Sequence, residues 1–349
     1  MNLYLLVYKS QEAGMKVGIA GVGFMGSTHA AGWAETDAEL VGFVAETPAE
    51  AEVLAKQYHV KIYPDLAAML PDVDVVDICT PTHLHHRMAL QAAAAGKQIV
   101  CEKPLARTSA EALEMVTACR KAGVRLLVAH VVRFFNEYAL AKASVLRGEI
   151  GKPGVIRLSR GSFRPKKPAG NWFLDEAKSG GILMDLMIHD FDYARWIAGK
   201  VESVYAKKVT SGHPDAPIDY GLVILRHRSG ALSHIAGAWA YPPPTFRTHL
   251  EIAGDAGLIE FDSADSAPIL NLIAKTDASS PDVGLPSSPV AESPYTTQIK
   301  EFYAVLLGQK EPRVLAEDGL AAVQIAEAAI QSAASGRAVT LESFAEVLA

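Results

Sequence analysis

Cysteine is scarce in this chain: 349 residues hold three, Cys79, Cys101 and Cys119, all in settings that read as strand or helix. That excludes a disulfide framework and leaves a reducing cytoplasm as the expected compartment. An excess of one charge is lacking as well. A formal net charge of −6 and a pI near 6.0 offer no attraction to nucleic acid or to an anionic membrane, so a small molecule is the expected partner. No apolar run reaches bilayer-spanning length without a charge or a glycine. Residues 1–8 are apolar, but they lack a basic flank and a small-residue cleavage site, which argues against a secretory signal. A soluble protein without internal repeats is expected.

What is present is the balance of an ordinary globular protein, with 50% hydrophobic and 21% charged residues. The length predicts two domains, 15–135 and 136–349, after an extension over 1–14. The short apolar run 16–20 leads into Gly21-Val22-Gly23-Phe24-Met25-Gly26, and a helix is predicted over 27–35. In a strand, glycine turn, helix unit the three glycines have separate tasks: a tight turn at Gly21, close approach to a pyrophosphate at Gly23, and helix-to-strand packing at Gly26. Amides at the helix start would face the phosphates, with Phe24 and Met25 in the same turn. A second strand, 39–45, ends beside Glu46, the acidic residue at ribose distance. Glu46 favours NAD over NADP if it meets the ribose and is merely solvated if it does not. Ala45 is an equally good strand-end position, so NADP stays open.

Helices over 48–58 and 65–70, a short strand at 61–63 and a core strand at 74–79 continue the alternation that implies a parallel sheet. The core strand ends at Thr80-Pro81, followed by His83, His85 and His86 ahead of a helix over 87–95. These histidines have no cysteine or carboxylate partner nearby at ligand spacing, so no metal is expected. They are read as a helix-entry loop lining the cofactor cleft. The strand 98–101 then ends at Glu102-Lys103-Pro104, where proline stops further pairing. Lys103 is thereby a cation at the ligand-binding edge of the sheet, or a solvated loop residue. A helix capped at Thr108 or Ser109, a strand at 124–130 and the segment Arg133 to Asn136 finish the domain.

Beyond a helix over 139–147 the pattern changes to consecutive strands at 154–160, 201–207, 220–227, 231–241, 249–253 and 257–261, with a weak one at 269–273. Such a run predicts an antiparallel sheet with one face on helices and the other free for a partner subunit. After the strand at 154–160 a proline-rich, basic loop runs over 161–172; its basic stretch Arg160 to Lys167, with Asn171 and Trp172, could meet a hydroxyl-rich or anionic ligand, or its lysines are plain surface. Helices are predicted over 295–308 and 317–335, then a strand at 339–341 and a tail helix. One continuous helix is predicted after Gly180 and Gly181, through Asp185 and His189 to Ile197. Four residues apart on a mostly apolar helix, Asp185 and His189 share a face, where the carboxylate can orient and charge-support an imidazole for acid/base work.

Gly21 to Gly26, Thr80-Pro81, Glu102-Lys103-Pro104 and Ser179 to Asp190 together resemble the Gfo/Idh/MocA oxidoreductase family, with motif order and spacing kept from about residue 15 to 341. The resemblance implies an α/β fold: a Rossmann domain followed by an α+β domain with a large open, mainly antiparallel sheet, packed into homodimers or homotetramers through that sheet. It implies NAD(P)-dependent oxidation of a hydroxyl on a sugar, sugar derivative or cyclitol. It also implies that Lys103 hydrogen-bonds the reacting hydroxyl, that His189 transfers its proton and that Asp185 is its acidic companion. Thr80, Pro81, His85, Glu102 and Lys103 would border the cofactor, and Arg133 and Trp172 the substrate. Some relatives use transient oxidation for glycoside cleavage or epimerisation with no net redox change, and a non-catalytic sensor is a third reading, disfavoured because Lys103 and His189 are both kept.

Overall fold

Six short, mainly apolar runs become the parallel sheet of the first domain, the central strands being buried on both faces and so having no need of polar alternation. In the computed structural model, which describes residues 14–165, 171–213, 216–264 and 292–341, these strands are β1 (Lys16–Ala20), β2 (Glu39–Val44), β3 (Lys61–Tyr63), β4 (Val75–Ile78), β5 (Gln98–Glu102) and β6 (Leu126–Ala129). Their order is β3-β2-β1-β4-β5-β6. Between them run α1 (Phe24–Trp33), α2 (Pro48–Tyr58), α3 (Leu66–Met69), α4 (Thr82–Ala94) and α5 (Ser109–Ala122). The order reverses between β1 and β4, and in an open α/β sheet the carboxyl edge at such a reversal is the ligand crevice. Local signals set the boundaries: Thr108 and Glu111 form a reciprocal capping box at the start of α5, and Gly123 ends it in the left-handed region at φ +67°.

The second domain contains α6 (Asn136–Leu146), β7 (Pro153–Ser162), α7 (Glu176–Ser179), α8 (Gly181–Asp185), α9 (Ile188–Ala198), β8 (Val201–His213), β9 (Ala216–His227), β10 (Leu232–Trp239), β11 (Phe246–Gly254), β12 (Leu258–Asp262), α10 (Pro294–Leu306), α11 (Ala316–Ser335) and β13 (Val339–Thr340). Its seven-stranded sheet runs β12-β11-β7-β10-β9-β8-β13. Only β10 and β7 pair in parallel; every other pairing is antiparallel. The last two long helices return to the first domain. Gly32 of α1 packs against Ile299 of α10, and Gly319 of α11 against Val128 and Leu105.

Two helices differ from expectation. The histidine-bearing stretch is no loop, since α4 begins at Thr82 with Pro81 as its N-cap, a position that proline tolerates because no intrahelical donor is needed there. The helix expected to run unbroken from Gly181 to Ile197 is instead α8 and α9. At the break, the Met187 N–H reaches back five residues to Ile182 O at 3.0 Å, a local widening of the helix. Met187 lies there on the sheet. A Cβ added at Gly237 or Gly221 would come within 2.3 or 2.6 Å of its side chain, so two glycines on β9 and β10 admit the approach. The expected strand at 269–273, the tail helix, the extension over 1–13 and the basic residues Lys166 and Lys167 lie outside the described residues.

Candidate active site

At the carboxyl edge of the first sheet the glycine turn is shaped by close contacts. Gly21 has φ +99°, and a Cβ on it would come within 2.5 Å of Cys79 O, while one on Gly26 would come within 1.9 Å of Gly21 O. Gly23 is different: a Cβ there would meet nothing within 4 Å, so its face is open. Gly23 is also the N-cap of α1, where no side chain caps the helix and no acidic residue stands in the first turn. The amides of Phe24 and Met25 are therefore free for an anion, as a dinucleotide pyrophosphate requires. The residues fit NAD. Beyond β2, which ends at Val44, Ala45 is half-buried and Glu46 exposed.

Lys103 follows the last residue of β5 and carries a cis bond to Pro104. Two contacts fix the turn from either side. Oε2 of Glu102 accepts the Lys103 backbone N–H at 2.9 Å. Buried His85 on α4 lies 2.8 Å from Pro104 O through Nδ1 and 2.8 Å from Thr80 O through Nε2. Burial lowers its pKa, with the two carbonyls opposing, and a neutral ring donates to only one of them at a time. His85 is thus a strut between the Thr80 loop and the lysine turn. Of its neighbours, His86 pairs with Glu114 at 2.8 Å, and His83 stands 6.2 Å from the ring of Trp172 across the domain cleft.

The second domain meets Lys103 at the end of α8. The lysine Nζ donates to the backbone carbonyl of Asp185 at 2.9 Å and to its Oδ1 at 3.2 Å, both side chains being largely shielded. This corrects the expected Asp185–His189 couple, because the helix break separates them and the carboxylate is engaged by the lysine. Neither ring nitrogen of His189 is hydrogen-bonded among the described residues. Nδ1 is buried, which leaves Nε2 as the nitrogen open to a ligand. Burial first, then the charge of Lys103, then Arg160, pushes the His189 pKa well below its ordinary 6.5. An unpaired neutral imidazole within electrostatic reach of a held ammonium is a base beside a cation, the arrangement needed to take a proton from an oxygen that the cation stabilises.

Two expected ligand residues are committed elsewhere. Arg133 is 1% exposed, and its guanidinium donates to Asp192 at 2.8 and 2.5 Å, to Asp318 at 3.0 Å and to Arg313 O at 2.8 Å. Four of its five N–H groups are thereby committed and the side chain is closed off from the cleft, so Arg133 is structural. Arg160, at the start of the basic loop, makes a buried two-pronged pair with Asp190 at 2.8 and 2.9 Å. Trp172 stands in the cleft beside His83, in a single helical turn at Trp172–Leu174, with the ring of Phe173 edge-on to it and tilted against Trp239.

Beneath the site lies a cluster that no sequence motif announced. His29 of α1 is fully buried against Asp77, Cys79 and Glu102. His29, Asp77 and Cys79 have ligand atoms close enough to surround a cation, but here they bond one another. One signal was available: Asp77 sits inside the apolar run of β4, and a carboxylate in a buried strand requires a partner.

Comparison with known proteins gives the arrangement its relatives. The family model described as "Oxidoreductase family, NAD-binding Rossmann fold" matches residues 15–130, and that of the GFO/IDH/MocA C-terminal domain matches 138–260. Myo-inositol 2-dehydrogenase of Thermotoga maritima is 30% identical over 94% of this chain and 99% of its own. Inositol 2-dehydrogenase of Rhizobium meliloti is 29% identical over the same shares. A levoglucosan dehydrogenase solved with NADH and levoglucosan superposes with a TM-score of 0.79 at 27% identity, covering 95% of this chain and all of that one. With both domains matched and a relative aligned almost end to end, the chain belongs to the GFO/IDH/MocA family and is an NAD-dependent oxidoreductase.

Proposed function

We propose that the protein oxidises a secondary hydroxyl of a cyclitol or pyranose sugar to the ketone, with His189 as the base and Lys103 as the cation on the reacting oxygen. The observation that carries this is the meeting of a held ammonium from one domain with an unbonded, neutral histidine from the other. The inositol and levoglucosan dehydrogenases among its relatives support the substrate class.

The substrate hydroxyl donates to His189 Nε2 while Lys103 Nζ donates to the same oxygen. Asp185 holds the ammonium, so its reach is set before substrate arrives and no ordering is needed at the moment of reaction. As His189 takes the proton, negative charge grows on the oxygen and Lys103 stabilises it. The carbon then loses its hydrogen with the bonding pair, and the C–O bond becomes a carbonyl. Gly21 to Gly26 and the free start of α1 would hold NAD, which when bound would supply the hydride acceptor. The ring of Trp172, with Phe173 packed edge-on against it, offers an apolar surface for the C–H face of a ring sugar. The open face of the large sheet is proposed to seat a second copy of the chain.

In a panel of inositols, hexoses and sugar acids, NADH formation is expected with a cyclitol or pyranose. His189→Ala should lose about a thousandfold or more in kcat while binding NADH as the wild type does in a fluorescence titration. Undiminished turnover in that variant sinks the assignment.

A further inference from the structure

Lys103 is held from above by Asp185, but its backbone is held from below by a chain of buried groups that ends three residues past the glycine turn. His29 Nδ1 donates to the carboxylate of Asp77, 2.9 Å from Oδ2 and 3.1 Å from Oδ1. Asp77 is fixed in turn by the indole N–H of Trp33 at 2.7 Å. On the other side of the ring, Nε2 stands 3.2 Å from Oε1 of Glu102, close but off the line of a hydrogen bond. The second oxygen of Glu102 accepts the Lys103 N–H. His29 and Asp77 have no exposed surface and Glu102 has 5%.

The protonation of the ring follows from this geometry. With the Nδ1 proton given to Asp77, a neutral ring would turn the Nε2 lone pair toward a carboxylate oxygen, acceptor against acceptor, with two buried carboxylates left uncompensated. A second proton on Nε2 reverses both penalties. The groups facing the ring are Asp77, Cys79 and Glu102, with Tyr295 of α10 within electrostatic reach. Burial opposes the charge, and Asp77, aided by Cys79, more than offsets it, so the pKa of His29 is raised well above 6.5. The stability this lends is complete below about pH 6.5 and is lost as pH rises through the raised value.

We infer that His29 is a positioning residue for catalysis: as a permanent imidazolium between Asp77 and Glu102, it fixes the Glu102 carboxylate that in turn pins the backbone of Lys103. The inference rests on the proposed role of Lys103 for its catalytic meaning, though not for its physical content. It makes the lysine turn depend on a residue of the cofactor-binding helix, so α1 serves the phosphates at its first turn and the reacting oxygen at its second.

The test uses the full chain and needs no substrate for its decisive part. In wild-type protein with labelled histidine, nuclear magnetic resonance should show both His29 nitrogens protonated from about pH 6 to about pH 8. In His29→Gln, which keeps one donor but no charge, the Lys103 amide should exchange its hydrogen about tenfold faster, while amides of β1 and β6 keep their protection. Turnover should fall by a similar factor with NADH affinity unchanged. A neutral His29 at pH 7, or a folded His29→Gln with unaltered Lys103 exchange, overturns the inference. Should His29→Gln not fold, Glu102→Gln decides: it keeps an acceptor for the Lys103 N–H but removes the charge facing His29, and the His29 titration must then move down. An unmoved titration refutes the link. Lys103→Met separates the two readings, since turnover retained in that variant sinks the role of Lys103 but leaves the exchange result standing.

Discussion

At the scale of single residues, the site divides one task between two ionisable groups by giving them opposite surroundings. Lys103 has a carboxylate and a carbonyl to hold its charge. His189 has neither, and burial with Lys103 and Arg160 nearby keeps it neutral. The histidine gives up its proton below its ordinary pH range, as the proposed role of base requires. Its resonances should therefore stay those of a neutral ring from pH 8 down past the ordinary histidine value near 6.5. In Lys103→Met the titration should move up toward that value, because the second-largest cause of the depression is gone. The stability sign follows: the contribution of His189 is full above about 6.5 and declines as pH falls, because the unfolded chain then binds a proton that the native site refuses. A His189 that titrates near 6.5 in the wild type, or does not respond to Lys103→Met, would contradict this account.

At the scale of elements, the site is made by the ends of strands and the break in one helix. Splitting the 181–198 segment into α8 and α9 turns Asp185 to the lysine and frees His189. Behind that break, α9 and α11 are riveted to the end of the first domain by Arg133, with Asp192 and Asp318 as its carboxylates, and Asp318 shared with Arg195 at 2.5 Å. Arg133→Met would leave Asp192 buried without its partner, Asp318 keeping Arg195. Removal of one partner of a buried pair costs about 3–5 kcal/mol, so chemical denaturation should register a loss of that order with KM for substrate unchanged. A raised KM at unchanged stability would return Arg133 to the pocket. The placement of the glycine turn and Lys103 at one sheet edge, with His189 brought to the lysine from the second domain, was legible from the chain because each combines a residue type with a strand or helix end. The partner of Asp185 was not, since i to i+4 spacing assumes an unbroken helix, and the residues that receive Met187 at the break, Gly221 and Gly237, lie on distant strands. Arg133 misled for a related reason: its carboxylates are 59 and 185 residues away, and periodicity carries no information at that separation. His29 went unread because a histidine on a short helix looks like any other until Asp77 and Glu102 close around it.

At the scale of the whole molecule, the large sheet is finished on one face only. Val204, Ala206, Val223 and Leu225 point inward and are wholly buried, while their strand neighbours point out. Those outward residues should be polar if water were their permanent neighbour. Several are instead apolar, Tyr205, Val209, Tyr220, Ile224 and Leu232, between 37% and 56% exposed, with Tyr205 opposite Ile224 and Val209 opposite Tyr220, interspersed with exposed Lys207, Arg226 and His234. A stripe with this much exposed apolar surface marks an interaction surface. Because the stripe lies on a broad, regular sheet, a second copy turned about a two-fold axis can cover it with the same residues, each burying its counterpart. Sedimentation of the wild type should give a dimer or a higher multiple of 37.3 kDa. Val209→Lys with Ile224→Lys places like charges on both sides of the contact and should yield monomers that still bind NADH, since neither residue touches the glycine turn. A wild type that sediments as a monomer, or a double variant that keeps its assembly, would show that this face has another occupant.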